Sequence, residues 1–267
     1  MIGALNYEWL RIRTIASSYW MSGLAIALSA AVTLVMALAV STNNVDDIAP
    51  SEVTTWVLTS GASWAITPVL GAVFYAVIGA MAMGHEYRYG TNKATLSALP
   101  DRIMVVLAKL LVLTAWVTGT IVVTLLLNAL VAWLFMDSPT FTSDAIRPVV
   151  AYWSYCIGFT FAGFGLAAIL RNLTGAIVAV LVWPLVLEPI VNGITTGVGE
   201  ATDSGLGKLS NILPATAGRR TMFDPYSLFA GFGEFPTWGL AASFVVFWVG
   251  VLGLLVAGTV LFVTRDA

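Results

Sequence analysis

Residues 110–136 read LLVLTAWVTGTIVVTLLLNALVAWLFM, 27 positions without a charge between Lys109 and Asp137. A helix rises about 1.5 Å per residue, so roughly 20 apolar residues cross the hydrocarbon core of a bilayer, and this stretch exceeds that length. Lipid offers no partner for backbone N–H and C=O groups, so a single spanning segment has to be helical. Working outward, four further stretches share this character. Arg13 to Asp46 encloses 32 uncharged residues, Glu52 to His85 another 32, Arg147 to Arg171 23, and Glu234 to Arg265 30. Arg171 to Glu188 encloses only 16, and it reaches spanning length if the helix continues past Glu188 to about Asn192. Composition agrees: 59% of residues are hydrophobic and 10% charged, with a mean hydropathy of +0.91. Soluble domains carry about 25% charged residues, which a water-facing surface needs. The expectation is an all-α membrane protein, a single transmembrane domain over 1–267. Its spans fall at about 17–40, 56–83, 106–134, 149–170, 173–192 and 238–262.

Several classes are disfavoured at once. A formal charge of −2 gives no basic footprint for nucleic acid. One cysteine, Cys156, and one histidine, His85, leave no material for a disulfide framework, a multi-cysteine metal site or a two-histidine metal centre. No catalytic group is expected, since an intramembrane hydrolase would need a serine–histidine pair or a metal within the spans. No P-loop is present: Gly207-Lys208 is followed by Leu209, and Thr202 stands where the first glycine belongs. The chain is expected not to hydrolyse ATP on its own. Arg11 and Arg13 before the first span, with Ala37-Leu38-Ala39 after it, imitate a signal peptide. The apolar run is longer than the roughly 7–15 residues of a signal core, so it reads as a retained helix.

Six spans put both termini on one side, together with the second and fourth connections. That side holds Arg11, Arg13, Arg88, Lys93, Arg102, Lys109, Arg171 and Arg265, against Arg147, Lys208, Arg219 and Arg220 opposite. Positive residues favour the cytoplasm, and most strongly in short loops. Both termini are therefore expected in the cytoplasm of a plasma-membrane protein.

Before the first span, Leu5, Trp9 and Ile12 recur at helical spacing among Glu8, Arg11 and Arg13. This suits a short amphipathic helix on the membrane surface or an early start of the first span. The segment HEYRYGTNKATLSALPDR, 85–102, is the most polar part of the chain. Gly90 can break the incoming helix, Thr91 can cap a short one over 92–99, and Asp101 can cap the third span. Glu86, Arg88 and Lys93 would then offer polar contacts to a soluble surface. The long connection 193–237 reads as a small outer cap. Within the spans, Thr59, Ser63 and Thr67, and likewise Thr120, Thr124 and Asn128, recur every four residues. Such stripes line a polar path or hydrogen-bond neighbouring helices. Ala72, Ala76, Ala80 and Gly84 form a small-residue ridge for close packing, within the chain or across a dimer. Glu188, between Pro184 and Pro189, is either a gate residue or an interfacial carboxylate reaching the outer headgroups.

Three features together resemble the permeases of type-2 ABC exporters, which export drugs, antibiotics or polysaccharides. They are the helix with Trp9, Arg11 and Arg13; the run Glu86, Gly90-Thr91, Pro100, Arg102 and Lys109; and WPLVLEPIVNG, 183–193, ahead of Leu213-Pro214. The resemblance implies two six-span permease chains, most simply a homodimer, embedded in lipid and docked on separate cytoplasmic ATP-binding subunits. ATP and magnesium would belong to those subunits. Residues 91–99 would be the coupling helix, with Glu86, Arg88, Gly90, Thr91, Lys93, Leu96 and Leu99 at the contact, and the N-terminal helix a second contact. Thr59, Ser63, Thr67 and Glu188 would lie near the substrate path. A carrier driven by an ion gradient is the competing transporter reading, and a membrane subunit of a sensing complex the non-transport one.

Overall fold

The computed structural model describes residues 2–42, 50–59, 67–91, 101–136, 139–202, 204–222 and 238–265. In chain order these form α1 (Ile2–Thr14), α2 (Ala16–Thr42), α3 (Pro50–Leu58), α4 (Thr67–Tyr89) and α5 (Arg102–Phe135). A 3-10 turn (Ser143–Ala145) leads into α6 (Ile146–Leu170). Then come α7 (Leu173–Val182), a π-helical segment (Trp183–Leu187) and α8 (Glu188–Ala201). A 3-10 helix (Gly205–Ile212), α9 (Pro214–Arg220) and α10 (Leu240–Arg265) complete the chain. Among the described residues there is no strand, and six helices are long and apolar enough to cross a membrane: α2, α4, α5, α6, α7 through α8, and α10. The expected helical, six-span architecture is the one observed.

The second span departs from its expected bounds of 56–83. Trp56 belongs to α3, a separate helix, and the spanning helix starts with Pro68 in its first turn. Proline is tolerated there because its missing N–H would have no partner anyway, whereas further in it would clash with the preceding turn. At its other end α4 runs on through His85, Glu86 and Arg88 to Tyr89. Polar residues do not stop this helix. Gly90 does, at φ +65°, and Thr91 N–H bonds the Glu86 carbonyl at 3.1 Å to close the last turn. The fifth span also runs longer than expected, to Gly199, and carries the π segment. Pro184 supplies no N–H and crowds the carbonyl four residues back. Widening the turn, so that Glu188 N–H bonds Trp183 C=O, accommodates it. Asp101 caps α5 as anticipated, accepting from Met104 N–H at 3.1 Å. Asn172 caps α7 in the same way.

Helices α4 and α6 form the centre, mostly buried, while the other four spans turn much of their surface outward. The ridge Ala72, Ala76 and Ala80 is fully covered inside the chain. At the α4–α6 crossing a Cβ on Gly79 would overlap the Thr160 carbonyl, and one on Gly163 would overlap the Ala76 carbonyl. Backbone approach of this kind supplies packing where lipid provides little hydrophobic force between helices. Gly163→Ala should therefore lower stability by about 1–3 kcal/mol or more through overpacking. Thermal unfolding in detergent reads this, and an unchanged midpoint would rule out the close crossing.

Polar residues at mid-depth serve as helix contacts. Asn128 Nδ2 donates to Ser29 Oγ at 3.1 Å and to the Leu58 carbonyl at 2.9 Å, tying α5 to α2 and α3. Thr124 and Thr120 return their hydroxyls to their own helix. Thr59 lies at the end of α3 with its hydroxyl on Thr55 C=O, whereas Thr67 opens α4. The three-membered stripe expected on one helix is thus divided between two, and Ser63 lies outside the described residues.

Candidate functional site: a buried ion cluster and a capped distal helix

Helix α1 is separate from the first span, with the break at Ile15. Its buried face repeats every four residues through Ala4, Glu8 and Ile12, so a carboxylate sits in the middle of the face that packs on α5. Trp9 lies beside it, half-exposed, edge-on to Trp116 at 6.1 Å. Glu8 meets Lys109, which stands alone two turns into α5, at 2.6 Å from Oε1. The same ammonium is 2.6 Å from Glu86 Oε1 on α4. Arg11 closes the ring, 2.7 Å from Glu86 Oε1 and 3.4 Å from Glu8 Oε2. Glu86 and Lys109 are each 1% exposed and Glu8 is 5% exposed. Two carboxylates and two cations balance. An unpaired ion in such a place costs several kcal/mol, so the four groups hold α1, α4 and α5 in one arrangement.

This cluster lies at the end of the bundle where α5 begins and α10 ends, here called the terminal face. Arg102 Nη1, at the start of α5, donates to the Val263 carbonyl near the end of α10 at 2.9 Å. Gly90 and Thr91 lie one helical turn beyond Glu86. Arg88 is exposed, its guanidinium 5.7 Å from the centre of the Tyr89 ring. Arg13 is exposed as well. Lys93, Leu96 and Leu99 lie outside the described residues. Glu86 is corrected from the expectation of a contact to a soluble partner: α4 continues past it, and its carboxylate is turned inward onto Lys109 and Arg11. Lys109 carried a signal in the sequence as a lone charge within an apolar run. Glu8 carried only its four-residue spacing with Ala4 and Ile12.

At the opposite, distal face the chain folds back. Pro214 packs on Gly250, well inside α10, and Tyr155 Oη of α6 donates to the Ala215 carbonyl at 3.2 Å. Helix α9 starts at this depth, and an exposed backbone N–H there would have no water to satisfy it. Glu188 supplies the acceptor. Its Oε1 takes Ala215 N–H at 2.9 Å and the Trp183 indole N–H at 2.8 Å. Its Oε2 takes Thr216 N–H at 2.7 Å and the Thr216 hydroxyl at 2.9 Å. The carboxylate is 1% exposed. It is turned inward and not out to a headgroup layer, because three contacts hold it against α9 and the fourth ties it to Trp183 in its own span. At the other end of α9, Arg220 bonds Asn211 and, at 3.1 Å, Ser210. Burial lowers the Arg220 pKa to about 10.

These features define a polytopic helical membrane protein whose N-terminal helix is locked to two spans by buried charge and whose distal segment is held by a buried carboxylate. A profile described as ABC-2 family transporter protein matches residues 4–191, and the chain belongs to that family. It is thus the membrane-spanning component of an ABC transporter, as the resemblance implied. The match runs from α1 through the ion cluster and Glu188, and stops before the fold-back of 205–222. No curated protein matches the sequence.

Proposed function

We propose that this chain is the permease of an ATP-driven exporter, two copies forming the membrane core on separate ATP-binding subunits. The terminal face is cytoplasmic in this reading, in line with the lysine and arginine bias. Helix α1 lies along the cytoplasmic membrane surface, residues 91–99 form the coupling helix, and the partner binds ATP and magnesium. The chain itself carries no catalytic step. The observation that supports this best is the Glu8–Arg11–Glu86–Lys109 cluster, whose Glu86 stands one helical turn before Gly90-Thr91. A displacement of the 85–102 connection moves Glu86, and with it α1 and α5, because the charges cannot separate cheaply in a buried site. Transmission of this sort needs contacts that differ between two states, and the four ion pairs are contacts that a second state would have to shift together.

The test is co-expression with the cognate ATP-binding subunit, followed by ATPase and transport assays in proteoliposomes. Thr91→Pro removes the N–H that closes α4 on the Glu86 carbonyl and alters the geometry of Gly90. We expect a stable complex, and at least about a tenfold loss of permease-stimulated ATPase in the variant, equivalent to 1.4 kcal/mol of coupling. Membrane insertion should be unchanged. Normal transport by Thr91→Pro, or uphill transport by the chain alone under an ion gradient, would overturn the reading.

A further inference from the structure

An apolar crevice of about 410 Å³ opens on the flank of the bundle between α4, α6, the fifth span and α10. Its wall climbs from Leu254 through Val251 and Phe247 to Pro214 and Ala215. The volume falls in the range of small-molecule sites, roughly 300–1,000 Å³. Carbon-lined walls alone would accept any hydrocarbon chain. The distal end of the crevice is what discriminates.

Helix α9 runs toward the distal face, since Pro214 touches Gly250 whereas Gly218 packs against Phe247 and Tyr155, a turn nearer that end. Arg219 comes next. It is four residues from Ala215, so it stands about one turn beyond the crevice wall, on the distal side of the last lining residue of α9. Among the described residues its guanidinium makes no hydrogen bond or ion pair, whereas that of Arg220 is engaged by Asn211 and Ser210. Glu188 acts on Arg219 only through space, its own oxygens being taken by four donors. Burial lowers the Arg219 pKa, with Tyr155 and Glu188 opposing. A partly desolvated guanidinium without an acceptor is an unfavourable arrangement that an anionic oxygen group relieves.

We propose that the crevice binds an amphiphile with one hydrocarbon chain and an anionic head, the chain along Val251 and Phe247 and the head on Arg219. Calling this ligand cargo rests on the exporter reading, but the binding itself does not.

The experiment titrates purified full-length protein, in uncharged maltoside detergent, with an alkyl sulfate spin-labelled at its tail and with the matching uncharged alcohol. Tryptophan quenching reports binding, Trp183 being part of the crevice wall. The sulfate should bind at least about tenfold more tightly than the alcohol. Arg219→Gln should erase that preference while leaving alcohol binding intact, Arg219→Lys should keep part of it, and Ala179→Phe, which fills the crevice, should weaken both ligands. Equal binding of sulfate and alcohol to the unaltered protein, or a preference that survives Arg219→Gln, would overturn the site. If Arg219→Gln loses the alcohol too, it has lost the fold, and the comparison in the unaltered protein together with its salt dependence decides. No ATP or second subunit enters this assay, so its failure would leave the exporter reading standing, and failure of the complex to form would leave this site standing.

Discussion

Lys109→Ala should lower the stability of the purified protein by about 3–5 kcal/mol, the usual consequence of removing one partner from a buried ion pair. The variant leaves Glu8 and Glu86 facing one another, with Arg11 at the edge as the remaining cation. Glu86→Ala should act in the same direction, because Lys109 and Arg11 then share Glu8 alone. The informative comparison is the double replacement Glu86→Leu with Lys109→Met. It restores charge balance with side chains of similar bulk, and buried pairs replaced in this way are often neutral or more stable. Thermal unfolding in detergent, followed by size-exclusion fluorescence, measures all three. Single variants as stable as the parent would mean that the four charges are not buried together. A double variant less stable than either single one would contradict the ion-pair account. The consequence for function is direct: a loss of transport in Glu86→Ala reports loss of the α1–α4–α5 lock, and coupling is better probed at Thr91.

Glu188→Ala is the second change with a large expected effect. It removes the acceptor for two backbone N–H groups, one hydroxyl and one indole N–H. Each buried donor left without a partner costs about 1–3 kcal/mol, so the total should exceed roughly 3 kcal/mol and fall on the segment 214–220. Hydrogen exchange at Ala215 and Thr216 measures this locally, as does the reactivity of a cysteine placed at Ala217, which is fully buried. Both should rise sharply in Glu188→Ala. Glu188→Gln keeps one acceptor oxygen and should fall between the two. Protection that does not change in Glu188→Ala would show that α9 is held by its apolar contacts alone. Such local loosening would also disturb Arg219 and the distal end of the crevice, so Glu188→Ala should weaken amphiphile binding without contributing a contact of its own.

Much of the architecture was legible from the sequence because lipid imposes a simple rule: long uncharged stretches must be helices. The stretch at 110–136, the six spans and the breaks at Gly90 and Asp101 follow from length, charge and cap chemistry within a few residues of one another. The resemblance carried by Glu86, Gly90-Thr91 and Lys109 led to the family for the same reason, since these residues are close in sequence. What lay beyond reach was pairing across the chain. Glu86 looked like part of a polar connection because its partners, Arg11 and Lys109, come from two other helices, and nothing local says that charges are matched at a distance. Glu188 looked like an isolated carboxylate near a span end because three of its four donors are 27 and 28 residues further on, in a segment that folds back among the spans. Thr59 and Thr67 looked like one stripe because periodicity does not reveal that α3 ends at Leu58 and that Thr67 opens α4. The sequence by itself determined that this is a six-helix membrane protein of a transporter family. Only the tertiary structure decided which of its few charges are buried together, because the cost of desolvating an ion depends on what the fold brings within about 3 Å of it.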